Sequence, residues 1–193
     1  ERVKGIVDIY PAMNPLGVDS ITRGVPGFDI DMNRIFPGSE EGAVTEHIAT
    51  QIMEDISGAD FCVDIHASNI FLREILQVRM SEGTAEQLLP YAKLLNTDFI
   101  WVHGAATVLE STLAHGLNTS GVPTVVVEMG VGMRITKSYG LRLTEGILCL
   151  MKRLGIWEGE TIAPKEPMTS DNRKIGLVHA NTAGIFLPSM EHQ

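Results

Sequence analysis

Three places in this sequence put polar side chains where packing alone would not choose them, and each could carry chemistry of its own. The first is Asp64-Ile65-His66, closing the stretch DFCVDIH (60–66). Alternation along a strand sets Asp64 and His66 on one face, opposite Val63 and Ile65. A carboxylate two residues from a histidine can orient the imidazole as a metal ligand; the plainer alternative is a hydrogen-bonded histidine at a strand end. The second is Glu128, which closes a run of three valines in PTVVVEM (123–129). A carboxylate is costly to bury there without a partner, so it either belongs to a functional site or is half of an ion pair with an arginine. The third is a loop after Asn14 that holds Arg23, Asp29, Asp31, Asn33 and Arg34. A guanidinium offers the forked donor pair that a carboxylate accepts, although surface or loop-bracing roles suit each arginine taken singly.

These residues need elements to hold them. The pattern along the chain is strand then helix, repeated. Residues 4–10 are predicted as a strand ended by Pro11 and the Asn14-Pro15 turn signal. Residues 42–57 carry Val44, Ile48, Ile52 and Ile56 on one helical face, and 60–66 form the next strand. A short strand is predicted at 75–80 and a helix opened by Thr84 with Gln87. Then follow a strand at 99–104, a weaker helix at 107–118, a doubly covered strand at 123–129 and a long helix at 136–154. Strands alternating with helices predict an α/β fold: a three-layer α/β/α domain on a mixed, largely parallel sheet. In such sheets ligands bind beyond the carboxyl ends of strands, where all three polar places fall. Residues 158–174 are polar, with Pro164 and Pro167, and read as a linker; 175–193 read as the start of a β-rich domain.

Composition removes other classes. The 193 residues carry a net charge of -9 and no basic run, so neither nucleic acid nor an anionic membrane surface is an expected partner. The longest apolar stretch, near 122–129, is too short for a membrane span and is interrupted by Pro123 and Glu128. Two separated cysteines, Cys62 and Cys149, make no disulfide framework, and a reducing, cytoplasmic setting is expected.

In order, PAMNPLG, Arg23, DIDMNRIFPG (29–38), VDIHAS (63–68) and GVPTVVVEMG (121–130) resemble the succinylglutamate desuccinylase/aspartoacylase family of zinc carboxypeptidase-like hydrolases, over roughly residues 4 to 155. The resemblance implies that His66 is a zinc ligand and that Glu128 is the general base for a zinc-bound water. It implies that Arg23 polarises the scissile carbonyl and that Asn33 and Arg34 grip the substrate's carboxylate. A small amide bearing a carboxylate, an N-acyl amino acid or a relative, is the implied substrate. Zinc lowers the pKa of bound water towards about 7, and such a site needs about three protein ligands.

The sequence departs from that pattern in one respect. The family's other two zinc ligands lie in an H-x-x-E segment, and none occurs here. His47, His103, His115, His179 and His192 are poor substitutes by position. The chain is therefore expected to be an internal piece, 1–157 being a catalytic domain without its N-terminal part. Open strand edges are expected to allow pairing into a homo-oligomer. Two rival functions stand beside the deacylase: a non-catalytic binding relative without the metal, and a zinc carboxypeptidase acting on peptides.

Overall fold

A computed structural model of the chain describes residues 2–104, 109–171, 176 and 179–184. Its centre is a five-stranded sheet, built from β1 (Cys62–Ala67), β2 (Glu74–Ser81), β3 (Phe99–His103), β4 (Thr124–Gly130) and β5 (Met168–Asp171). The spatial order is β1-β4-β2-β3-β5. The pairs β1/β4, β2/β3 and β3/β5 are parallel, and β2/β4 is antiparallel. The sheet is thus mixed and largely parallel, as the alternating pattern predicts.

Side-chain alternation divides the sheet into two unlike faces. One carries Val78, Met80, Ile100, Val102, Val125 and Val127, packed with Leu88 and Ala92 of α3 (Glu82–Ala92), Leu95, and Leu143 and Leu150 of α5 (Lys137–Arg153). The valines before Glu128 are therefore core on one side only. Gly146 lets α5 approach Leu95 closely: a Cβ there would lie 2.2 Å from the Leu95 carbonyl carbon. The opposite face carries Cys62, which packs on a second cluster of Val25, Met32, Phe36, Ala49, Ile56, Leu113, Leu117 and Val122. That cluster joins α2 (Val44–Ile56), α4 (Leu113–Thr119) and the loop before α2. Helices flank the sheet on both sides.

The remaining differences from the sequence reading are local. Residues 4–10 form no strand; only Val3 makes an isolated bridge, to Trp157, while Ile6 and Ile9 are 84% and 80% exposed. Apolar alternation predicts an extended chain, but a strand needs a neighbour for its backbone groups, and this segment has no ladder. The loop after Asn14 contains a short helix, α1 (Pro15–Ser20), capped by the Asn14 side chain, and a 3-10 turn at Met32–Arg34. The helix whose cap is expected at Thr84 begins three residues earlier, with Ser81 at its N-cap. Within the polar stretch 158–174, Met168–Asp171 adds as edge strand β5 beside β3. Residues 105–108, the first part of the weaker helix and its lead-in, and most of the tail from 172 lie outside the described residues.

Cys62 and Cys149 are free thiols. Among the described residues no helix is long and apolar enough to cross a membrane.

Candidate active site

The polar face of the sheet gathers what the sequence scatters. His66 on β1 is in register with Glu128 on β4, and Glu128 with Gln77 on β2. A second row runs Asp64, Val126, Arg79, Trp101. Two rows across four strands thus set His66, Asp64, Glu128, Gln77, Arg79 and Trp101 on one face.

Within β1, His66 Nε2 lies 3.0 Å from Asp64 Oδ2. Burial pushes the His66 pKa down, but the Asp64 hydrogen bond and the charges of Asp64 and Glu128 outweigh it, and the net shift is upward. Glu128 shifts upward as well. Burial is the largest cause, opposed by Arg79 and His66 and reinforced by Glu74 and Asp64. A carboxylate moved towards neutral pH is better matched to taking a proton from water.

Glu128 also has the arginine partner that the plainer reading of it required. Arg79 Nη1 lies 3.4 Å from Glu128 Oε1, and Arg79 Nη2 donates to Glu74 Oε2 at 2.8 Å. Gln77 Nε2 donates to that same Glu74 oxygen at 3.0 Å, and the Arg79 guanidinium carbon lies 5.3 Å from the centre of the Trp101 ring. Sequence reasoning did not pick out Glu74, Gln77, Arg79 or Trp101. The available signal was the pair Gln77 and Arg79, two residues apart in an otherwise apolar strand.

The loop residues form a group of their own, ordered by Asp31. Its Oδ2 accepts from Arg23 Nε and Nη2 at 2.9 and 2.8 Å, and its Oδ1 accepts from the Asn33 backbone N–H at 2.9 Å. Burial pushes the Asp31 carboxyl up, but these bonds and the Arg23 and Arg34 charges hold it below its ordinary value. Asn33 Oδ1 accepts from the Leu113 N–H at 2.8 Å, at the start of α4, and Arg34 Nη1 donates to the Asn33 carbonyl at 2.6 Å. Arg23 therefore braces its loop, as does Arg34. Both guanidiniums keep further donors for an anion.

Zinc is a poorer match to these side chains. Among the described residues, no group of three or more His, Cys, Asp or Glu side chains is placed to hold a metal ion. His66 is one imidazole, and its Nε2 is engaged by Asp64. The donor set does not fit a zinc site of three protein ligands.

The comparisons with known proteins agree with the architecture. A family model for the succinylglutamate desuccinylase/aspartoacylase catalytic domain matches residues 1–154. An N-alpha-acetyl-L-2,4-diaminobutyric acid deacetylase of Halomonas elongata is 30% identical over 183 residues, covering 86% of this chain and 50% of the relative. The product-bound ectoine utilization protein EutE (DoeB) of Ruegeria pomeroyi shares the fold at TM-score 0.75 and 22% identity, over 84% of this chain and 51% of its own. A succinylglutamate desuccinylase/aspartoacylase from Rhodobacter sphaeroides does so at TM-score 0.75 and 24% identity, over 89% and 54%. The chain spans about half the length of these relatives. Its ordered motifs, its mixed sheet and the match over residues 1–154 make it a member of the succinylglutamate desuccinylase/aspartoacylase family.

Proposed function

We propose that the protein is a deacylase that hydrolyses the amide of a small N-acyl amino acid or a related carboxylate-bearing substrate. The observation that carries this reading is the register of His66 and Glu128 on adjacent parallel strands, with Glu128 partly buried and its carboxyl shifted upward. Support for the substrate class comes from the Halomonas elongata relative, a deacetylase of an acetylated amino acid.

In this reading Glu128 takes a proton from the attacking water as its oxygen bonds to the acyl carbon. The same proton then passes to the amine nitrogen as the carbon–nitrogen bond breaks, leaving an acid and a free amine. Arg23 faces the oxygen that gains charge, and Asn33 with Arg34 holds the substrate's carboxylate. Arg23 and Arg34 also offer local positive charge to an anionic substrate against an overall charge of -9. His66 offers one imidazole to zinc. Since the described residues do not assemble the rest of a zinc site, no step is assigned to the metal.

The test is Glu128→Gln in the complete protein, with turnover of N-acetyl amino acids and bound zinc measured together. Loss of a general base is expected to lower kcat by about 10²–10⁴-fold with metal content unchanged. Wild-type turnover in this variant sinks the assignment.

The scarcity of metal donors favours one second reading, a binding protein that retains the carboxylate clamp without catalysis. Metal analysis separates the two: a complete protein that binds N-acyl amino acids, holds no zinc and turns nothing over is the binding protein.

A further inference from the structure

The unassigned residues beside Glu128 form a built arrangement rather than a chance ion pair. The β2/β4 ladder pairs Gln77 with Glu128 and Glu74 with Gly130, so three steps along β2 oppose two along β4. That irregularity is a bulge, the device by which a strand re-aims a side chain. Without it, Glu74 would share the apolar face with Leu76 and Val78, an odd number of residues from Gln77 and Arg79. With it, Glu74 reaches the polar face and bonds both Gln77 and Arg79.

Arg79 is thereby fixed from three sides, by Glu74 Oε2 at 2.8 Å, by Glu128 Oε1 at 3.4 Å and by the ring of Trp101. Its Nε is buried with no hydrogen-bond partner. A buried donor is left unpaired only at a cost, so the guanidinium is held where it is by its other contacts and not by the best count of hydrogen bonds. Among the described residues, Arg79 is the one Lys, Arg or His side chain with a nitrogen within 4.0 Å of the Glu128 carboxylate. The orientation of that carboxylate therefore depends on Arg79.

We infer that Arg79 is a positioning residue, locked by Glu74 across the β2 bulge and by Trp101, which holds the Glu128 carboxylate in the orientation needed to meet the attacking water. The inference rests on the proposed role of Glu128. It adds that the base is aimed from β2, by residues that touch no reacting atom. A base displaced by about 1 Å can lose about 10²-fold in rate, which sets the scale of the effect.

The experiment uses the complete protein and a panel of N-acetyl-L-amino acids, with the best of them taken for full kinetics. The variants are Arg79→Ala, Arg79→Lys, Glu74→Gln and Glu128→Gln. Arg79→Ala is expected to lower kcat about tenfold to a hundredfold with KM within about twofold of wild type. Arg79→Lys should regain part of the loss, and added guanidinium should raise kcat in Arg79→Ala only. Glu74→Gln, which keeps its shape and loses its charge, should lower kcat in the same direction by less. A purely structural arginine would lower the melting temperature without the split between kcat and KM or the rescue. Should Arg79→Ala fail to fold, Arg79→Lys and Glu74→Gln decide: wild-type kcat in both overturns the inference. So does a rise in KM alone, which would make Arg79 a substrate contact. An inactive Glu128→Gln beside a fully active Arg79→Ala overturns only the positioning role. An active Glu128→Gln, or a wild type that turns over no member of the panel, overturns the proposed function and this inference with it.

Discussion

At the scale of single residues, Glu128 is asked to be both partly buried and ionisable, and stability and chemistry pull in opposite directions. Its folded pKa lies above the ordinary carboxylate value, with burial the leading cause. A carboxyl raised in the folded state binds its proton more tightly there than in the unfolded chain. Its negative charge therefore costs stability above the folded pKa, and the cost disappears as the pH falls towards the unfolded value. Glu128→Gln removes the charge and keeps the shape, while Arg79 retains Glu74. The variant is expected to melt above the wild type at neutral pH, the gap narrowing on acidification. Thermal melts at several pH values check this. A lower melting temperature at neutral pH would show that the Arg79 pair outweighs the burial.

The same scale shows what the sequence could and could not disclose. His66 and Glu128 are legible because each ends an apolar run, where a polar residue needs a reason. Arg23, Asn33 and Arg34 are legible from their ordered block, but Asp31, which organises all three, reads as one more loop acid until its two oxygens are seen to divide between Arg23 and the Asn33 backbone. Glu74 is hidden for a different reason: strand alternation places it on the wrong face, and only a bulge, with no marker in the residue types, corrects it.

At the scale of elements, α5 is read correctly because its burial follows its pattern, whereas α2 forms where expected but turns Thr45, Ala49 and Ile56 inward and leaves Val44 and Ile48 exposed, and the valine-rich strand is core on one face only. The misread elements depend on neighbours. Residues 4–10 alternate like a strand but join no ladder, whereas Met168–Asp171, too polar to read as a strand, is recruited at the sheet edge. Asp98 explains much of that recruitment. Its carboxylate accepts from Arg142 of α5 at 2.9 and 3.0 Å and from Lys165 at 2.7 Å, and its carbonyl accepts from the Met168 N–H at 3.1 Å. Burial pushes the Asp98 carboxyl up, but Arg142 and Lys165 together hold it below its ordinary value. The sign is the reverse of that for Glu128: the stabilisation is complete above the unfolded carboxylate pKa and is lost as the pH falls through the folded value. Asp98→Asn is expected to cost about 1–3 kcal/mol at neutral pH, chiefly through Arg142, since Lys165 is mostly exposed and its bond is screened. Denaturant melts should show this cost shrinking in acid. Equal stability of the two proteins at neutral pH would show that the network fastens nothing.

At the scale of the whole molecule, the sheet of the described residues ends in two edge strands, β1 and the short β5. Among the described residues, β1 pairs only with β4 and lies at the end of the sheet order. In it and just after it, Ile65 and Ile70 are half exposed and Phe71 is 91% exposed. Unpaired backbone groups beside exposed apolar side chains are a template for another chain. Opposing association is the net charge of -9, which makes any two copies repel. That repulsion falls with salt, because the screening length shrinks from about 30 Å at 0.01 M to about 8 Å at 0.15 M, whereas backbone pairing and apolar contact are screened much less. The 193-residue chain is therefore expected to self-associate with rising concentration, and more strongly at higher salt, by sedimentation or light scattering. Ile65→Lys puts a charge on β1, on the face opposite His66 and Asp64, and is expected to suppress the association without disturbing the polar face. A chain that stays monomeric at every concentration and salt, or an Ile65→Lys variant that associates like the wild type, shows that β1 is not the surface through which copies meet.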